Sequence, residues 1–218
     1  PTPTPTNAPV SPAPDSTRKG GQVGIGYGGT NNWIKTMDTA GDVNGDGYSD
    51  VVVGAPWFSN GQNAEGQAYL YLGSSNGLST IAAWTGESDQ ALVQYGLNVS
   101  IAGDVNGDGY SDVVVGAIGF NSEGAAFLYH GSSSGLVTTP AWTGHPNQAY
   151  SVYGWVVSTA GDVNGDGYSD VLVGAPNYDP TPDEDRGQAY LYLGSSNGLV
   201  TTTAWTGEPD QPGSYYYG

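Results

Sequence analysis

The eleven-residue string GDVNGDGYSDV begins at Gly41, at Gly103 and again at Gly161, and this recurrence constrains the fold of the 218-residue chain more tightly than any local propensity. Self-similarity at a period of about 60 residues means that one supersecondary unit is stacked on its own copies, because a unit that small cannot bury its apolar face alone. Two further strings keep the same period. YLYLGSSNGL at Tyr69 returns as FLYHGSSSGL at Phe127 and as YLYLGSSNGL at Tyr190, while AWTG stands at Ala83, Ala141 and Ala204.

Each period reads as four short β-rich runs bounded by Gly, Asn, Asp and Ser, for example Leu97–Ala102, Asp112–Ala117, Ala125–Tyr129 and the AWTG segment. Val51-Val52-Val53 and Val113-Val114-Val115 are continuous and β-branched, as in a strand covered on both faces. Helical periodicity is absent. An all-β chain built of four-stranded units of this length predicts β-propeller-type blades.

Residues 1–20, PTPTPTNAPVSPAPDSTRKG, read as a Pro/Thr-rich linker or stalk, since alternating proline blocks helix and ladder alike and favours polyproline II. The plain spacer is the simpler reading, although its Thr and Ser hydroxyls also resemble an O-glycosylated one. Residues 21–218 are expected to hold three tandem repeats, approximately 22–86, 87–144 and 145–207, with the start of a fourth over 208–218. The repeats differ in length mainly in one connection, which reads WFSNGQNAE, IGFNSE and NYDPTPDEDR in turn; it is expected to be exposed and tolerant.

Acidic residues outnumber basic ones 21 to 4, giving a formal charge of −17, and the only cations are Arg18, Lys19, Lys35 and Arg186. Phosphate-backbone binding, and with it nucleic acid, is excluded on that balance. Six Trp and sixteen Tyr argue for a folded chain instead of a disordered acidic one, so something must neutralise the carboxylates locally. Cysteine is absent, which removes disulfides and thiolate metal sites. No stretch approaches the roughly 20 apolar residues of a membrane span, so no membrane insertion is expected. The N-terminus lacks the regions of a signal peptide, and the chain reads as a mature or excised segment.

The chemistry lies in D-x-N-x-D-G-x-x-D, present as Asp42, Asn44, Asp46 and Asp50, as Asp104, Asn106, Asp108 and Asp112, and as Asp162, Asn164, Asp166 and Asp170. Calcium wants about six to eight oxygens, and side chains at positions 1, 3, 5 and 9 with the backbone carbonyl at position 7 (Tyr48, Tyr110, Tyr168) can wrap one ion. Gly47, Gly109 and Gly167 permit the sharp turn between them. An ordinary Asn-Gly or Asp-Gly turn explains the glycines but not three mutually repelling carboxylates within nine residues, repeated in every period. One Ca²⁺ per loop, three in total, would bring the charge from −17 to −11. Magnesium suits the loop less well because it demands a tight octahedron. The same spacing opens an EF-hand, yet position 12 is Val53, Val115 or Val173 where that loop needs an acidic ligand, and a β-branched run follows. The loop is therefore expected to join two strands.

These residues together resemble the FG-GAP repeats of integrin α-subunit propellers and of many bacterial surface proteins. Tyr27-Gly28, Tyr95-Gly96 and Tyr153-Gly154 stand where the family has Phe-Gly; Gly54-Ala55-Pro56 and Gly174-Ala175-Pro176 match fully, and Gly116-Ala117-Ile118 lacks the proline. The resemblance covers about residues 22–218. It implies a propeller with calcium in the hairpin between the first two strands of each blade. The family usually closes seven blades, whereas this chain has three and ends on Tyr217-Gly218, the start of another repeat. A closed ring needs about four or more. The expectation is an incomplete ring: a piece of a longer array, or a protomer that completes its blades against copies of itself.

Other signals carry less. Gly24-Ile-Gly26-Tyr-Gly28-Gly29 fits G-x-G-x-x-G without a βαβ unit behind it. Gly73-Ser-Ser75-Asn-Gly77 and its relatives at Ser133 and Ser196 fit G-x-S-x-G, but follow a strand three times over and read as turns. His130 stands where the sister repeats have Leu72 and Leu193, and His145 where they have Glu87 and Glu208, so neither is placed as a catalytic base. Trp84, Trp142 and Trp205 recur as blade-packing residues, with sugar stacking as the alternative. The sequon Asn98-Val-Ser100 lies in an expected strand and is read as coincidence. The functional expectation is a non-enzymatic, calcium-binding structural or adhesive module, extracellular or at the cell surface, whose partners are other protein chains or copies of itself. Calcium near the millimolar range outside cells would keep even weak sites filled. The alternatives are a carbohydrate-binding, lectin-like propeller or a non-catalytic domain of a secreted enzyme.

Overall fold

A computed structural model describes residues 36–179 and 186–208. The Pro/Thr stalk, Tyr27-Gly28, Arg18, Lys19, Lys35, most of the third variable loop and the start of the fourth repeat lie outside the described residues.

The described chain forms three four-stranded antiparallel sheets, each an up-and-down meander in sequence order. The first contains β1 (Met37–Gly41), β2 (Asp50–Ala55), β3 (Gln67–Tyr71) and β4 (Trp84–Glu87). The second contains β5 (Val99–Gly103), β6 (Asp112–Ala117), β7 (Ala125–Tyr129) and β8 (Trp142–Gly144), and the third β9 (Val156–Gly161), β10 (Asp170–Ala175), β11 (Gln188–Tyr192) and β12 (Trp205–Gly207). Register is the same in all three: Val52 faces Leu70, Val114 faces Leu128 and Leu172 faces Leu191. The register shifts once where each first hairpin begins, at Thr39/Gly41, Ile101/Gly103 and the Asp170 end of β10. That bulge needs a left-handed residue, and Gly41, Gly103 and Gly161 supply φ of +71°, +83° and +70°.

Successive sheets stack face to face with β1, β5 and β9 side by side, the arrangement of propeller blades not closed into a ring. One apolar cluster joins Val52, Leu70 and Trp84 of the first blade to Val99, Val113 and Val115 of the second. Another joins Val114, Leu128 and Trp142 of the second to Val157, Val171 and Val173 of the third. This double coverage explains why the central strands are unbroken Val runs.

The repeated Tyr-Gly and Gly-Ala pairs are the joint itself. The Gly96 N–H donates to the Gly116 carbonyl of its own blade at 3.0 Å, while Gly96 lies so close to the preceding blade that a Cβ on Gly54 would stand 1.9 Å from the Gly96 oxygen. Tyr95 is buried completely, and its hydroxyl pairs with that of Tyr129 at 2.7 Å; Tyr153 and Tyr192 repeat the pair at 2.8 Å. The second blade's first strand starts at Val99 instead of the expected Leu97, because Leu97 closes a turn onto the Gln94 carbonyl at 3.1 Å. A single helical turn, Phe120–Ser122, occurs among the described residues, in the short IGFNSE connection. No helix of the described residues is long and apolar enough to cross a membrane.

Candidate metal centre

The three acidic loops join the first and second strands of each blade and fold alike. In the first, Asp42 accepts from the N–H of Asp46 at 3.0 Å and of Gly47 at 2.8 Å. Asn44 Oδ1 accepts from the Asp46 N–H at 3.1 Å, and its amide donates to Asp46 Oδ2 at 2.9 Å. Asp46 Oδ1 in turn accepts from the Tyr48 N–H at 3.0 Å. The same bonds recur around Asp104, Asn106, Asp108 and Tyr110, and around Asp162, Asn164, Asp166 and Tyr168. A left-handed glycine at position 6, φ +90° at Gly47, lets five consecutive residues curl around the first carboxylate.

Position 9 is different in kind. Asp50, Asp112 and Asp170 are fully buried, and each clasps two separate segments. Asp112 accepts from Val105 N–H at 2.9 Å and Gly131 N–H at 2.8 Å; Asp50 does so from Val43 and Gly73, and Asp170 from Val163 and Gly194. Spacing alone offered these residues as ligands only. Their second role as the knot of the blade was missed, and an acidic residue opening a buried Val run was the available signal.

The electrostatics follow from placement. Burial pushes the Asp112 carboxyl up from 3.8 to about 7, against the lowering effect of its two N–H donors, and the charges of Asp108 and Asp104 add to the rise. Asp50 is raised for the same leading reason, with Asp46 and Asp42 contributing. Exposed Asp162 goes the other way, held low chiefly by the Gly167 N–H. In the first two loops the charges of the outer carboxylates therefore raise the proton affinity of the buried one. Among the described residues no Lys, Arg or His forms an ion pair with a loop carboxylate; His145 pairs with Glu123 at 3.5 Å, away from the loops.

The donor set fits calcium: hard oxygens only, in excess negative charge, with Asn in place of one Asp per loop. Among the described residues, however, no three Asp, Glu, His or Cys side chains close on one point as a metal cluster. The loops are closed on their own N–H donors.

The remaining candidates resolve as packing. In the G-x-S-x-G stretch the hydroxyl of Ser74 donates to the Gly77 carbonyl at 2.8 Å, and Ser132 and Ser195 repeat it at 2.7 Å, so the motif is a turn. His130 is half-buried against Gly198 of the next blade, and burial lowers its pKa. Trp84 and Trp142 stack edge-on against Tyr129 and Tyr192 of the following blade, at 4.8 and 4.7 Å, which withdraws them as sugar platforms. Asn98 is buried and accepts the Val157 N–H at 3.2 Å, so the sequon is closed to modification in the folded chain.

Blades joined by Tyr-Gly and Gly-Ala contacts around an acidic first hairpin define an FG-GAP type of β-propeller module. The FG-GAP repeat model matches residues 38–71, 95–129 and 153–192, half of the chain, and the chain belongs to that family. Integrin alpha-7 of Rattus norvegicus is 37% identical over 139 residues, covering 62% of this chain and 12% of that protein. Integrin alpha-PS2 of Drosophila melanogaster is 32% identical over 153 residues, covering 63% and 11%. Phosphatidylinositol-glycan-specific phospholipase D of Bos taurus is 37% identical over 173 residues, covering 72% and 20%. The chain spans at most a fifth of the length of these relatives.

Proposed function

We propose that this chain is a non-catalytic, calcium-braced FG-GAP module of an extracellular or cell-surface protein, built to contact other protein chains. The observation that carries the reading is the threefold recurrence of one loop, with the same hydrogen bonds and three carboxylates each, at the same corner of successive blades. Asp42, Asn44, Asp46, the Tyr48 carbonyl and Asp50 would hold one Ca²⁺, with Asp104, Asn106, Asp108, Tyr110 and Asp112, then Asp162, Asn164, Asp166, Tyr168 and Asp170, holding the second and third. The ion would supply positive charge to a loop whose carboxylates form no ion pair with Lys, Arg or His among the described residues. The integrin relatives support a role in protein contact, and a module with weak sites works where calcium is near millimolar, outside cells.

The test is thermal unfolding in ~1 mM Ca²⁺ and in excess chelator, with bound calcium counted by mass under native conditions. A site with a dissociation constant of ~0.1 mM stabilises by about 1.4 kcal/mol at 1 mM ion, so three would contribute about 4 kcal/mol. Three ions bound and a lower melting temperature in chelator are expected. An unchanged melting curve would falsify the calcium assignment.

A further inference from the structure

The connection that varies most among the repeats, between the second and third strands, ends at one equivalent position in every blade. Glu65, Glu123 and Arg186 stand there, each directly before a left-handed glycine: Gly66, Gly124 and Gly187, with φ of +80°, +91° and +72°. The Glu65 carbonyl accepts the Tyr95 N–H at 2.9 Å and the Glu123 carbonyl the Tyr153 N–H at 3.1 Å. In the first two blades the position therefore lies on the side that the following blade covers, with described residues on both walls. A second position, the residue after Gly86, Gly144 and Gly207, holds Glu87, His145 and Glu208. The second blade fills the two positions with an acid and a base, Glu123 and His145, paired at 3.5 Å, and the third with Arg186 and Glu208, again of opposite charge. The first blade alone puts acids at both, Glu65 and Glu87, and among the described residues neither forms an ion pair with Lys, Arg or His.

Burial makes that arrangement unfavourable as it stands. Glu65 has no exposure at all; its Oε1 accepts the Asn60 N–H, while no hydrogen bond among the described residues reaches its Oε2. Asn60 also turns its amide to Glu87 Oε2 at 3.5 Å, so one asparagine spans both carboxylates. Gln67, 5% exposed and directly opposite Glu87 in the β3–β4 register, donates its amide N–H to the same Glu87 oxygen at 2.9 Å. That bond fixes which way the amide faces and leaves Gln67 Oε1 buried with no donor among the described residues. Gln62 Oε1 and Ser88 Oγ, on the same two stretches of chain, are likewise buried without a partner there. Apart from the serine hydroxyl, these atoms are acceptors with no proton to give, so what they lack is positive charge. A buried carboxylate in this state is strongly disfavoured unless it is paired or coordinates a metal.

We propose that the first blade binds a divalent hard cation of the calcium class between Glu65 and Glu87, at a site separate from the three acidic hairpins. Two carboxylates balance its charge, and the side-chain carbonyls of Gln67 and Gln62 add neutral oxygens. Such a mixed set suits the irregular oxygen shell of calcium better than the octahedron of magnesium. The ion takes the part that His145 plays for Glu123. Bound there, it ties the β2–β3 connection to the end of β4. The same connection offers the Asn63, Ala64 and Glu65 carbonyls to the Leu92, Gln94 and Tyr95 amides at 2.7–3.2 Å, so the ion also steadies the path into the second blade. The inference does not depend on the hairpins holding ions.

The experiment counts bound calcium on the 218-residue chain by native mass after equilibration at ~1 mM Ca²⁺, comparing wild type with Glu65→Gln and Glu87→Lys. Glutamine keeps an oxygen for the Asn60 N–H and removes only the charge, whereas lysine at half-buried Glu87 supplies a cation from within the chain. Each variant is expected to carry one ion fewer than wild type, whatever number the hairpins hold. Thermal unfolding gives a second reading. In chelator both variants should melt above wild type, because the unpaired buried charge is removed or compensated, and in calcium wild type should overtake Glu65→Gln. Equal ion counts in all three proteins overturn the inference. So does a Glu65→Gln chain that melts below wild type by the same margin with and without calcium, since Glu65 would then be a structural acceptor only. Should Glu65→Gln fail to fold, the count on Glu87→Lys decides. Failure of the hairpin assignment looks different: wild type would carry a single ion and both variants none.

Discussion

Three tryptophans at one position of the repeat turn the blade contact into a graded measurement. A tryptophan ring buries about 150–250 Å², which at about 25 cal/mol per Å² is about 4–6 kcal/mol, and truncation of such a residue in a core costs about 3–5 kcal/mol. Trp84 is nearly sealed under the second blade; it also donates its indole N–H to the Val137 carbonyl at 3.0 Å and meets Tyr129 edge-on at 4.8 Å. Replacing it by Ala should cost about 4 kcal/mol, and Trp142→Ala nearly the same, since Trp142 is as deeply buried and meets Tyr192 at 4.7 Å. Trp205 already leaves half its surface in water, so Trp205→Ala should cost at most about 2 kcal/mol. The assay is urea unfolding with calcium present. Equal costs at the three sites, or the largest cost at Trp205, would mean that the blades do not stack through these rings, and the order of packing described here would be wrong.

Metal-free stability should fall as pH rises. The folded Asp112 carboxyl titrates at about 7 against 3.8 for an unperturbed one, so the folded state holds its proton more tightly and loses stability between those values. Between pH 5 and pH 7.5, measured by unfolding in chelator, the loss is about 2.5 kcal/mol, and Asp112→Asn should flatten the profile; a metal-free protein more stable at pH 7.5 contradicts it. Gly54→Ala and Gly47→Ala separate two demands on glycine. At Gly54 the new Cβ would stand 1.9 Å from the Gly96 oxygen, so the blades must part and the melting temperature should drop sharply, whereas Gly47 has open space and should lose only the ~1–2 kcal/mol of a left-handed alanine. Equal losses would mean that the Gly-Ala motif is not a backbone contact. Chelation should also weaken hydrogen-exchange protection at the Ser111, Ser132, Ser169 and Ser195 amides more than at mid-sheet Val52 and Val114, and uniform loss across the sheet would contradict a local brace.

The repeats made the architecture legible. Identical strings at one spacing predict identical sheets, and the Val runs declared strands covered on both faces before any partner was known. The edges were less so: Leu97 continues the apolar pattern of β5 but is bent away by the Tyr-Gly joint, a tertiary demand that no local pattern records. Position 9 was legible as an acid and illegible as a clasp, because its donors, Val105 and Gly131 in the second blade, lie seven residues before it and nineteen after it. The tryptophans are the sharpest case. Trp84, Trp142 and Trp205 sit in the same AWTG string, and only their order in the stack separates two buried rings from an exposed one.

The same backbone connects the acidic loop to the joint between blades. Val105 donates its N–H to Asp112 within its own blade and offers its carbonyl to the Ser195 amide of the next, and Val43 does the same between Asp50 and Ser132. Protonation or charge compensation at the buried aspartate therefore acts on a residue whose other polar group holds two blades together. The neighbouring carbonyls of Asp42 and Asp104, first residues of their loops, also accept across the joint, from Ser111 and Ser169. A loop that loses its shape withdraws two acceptors from the blade that follows it. An ion held there would stiffen a contact it does not touch, through peptide units that belong to the loop and the joint at once. An array of such blades would then be rigid in calcium and hinged without it, with the hinges falling between sheets and not inside them.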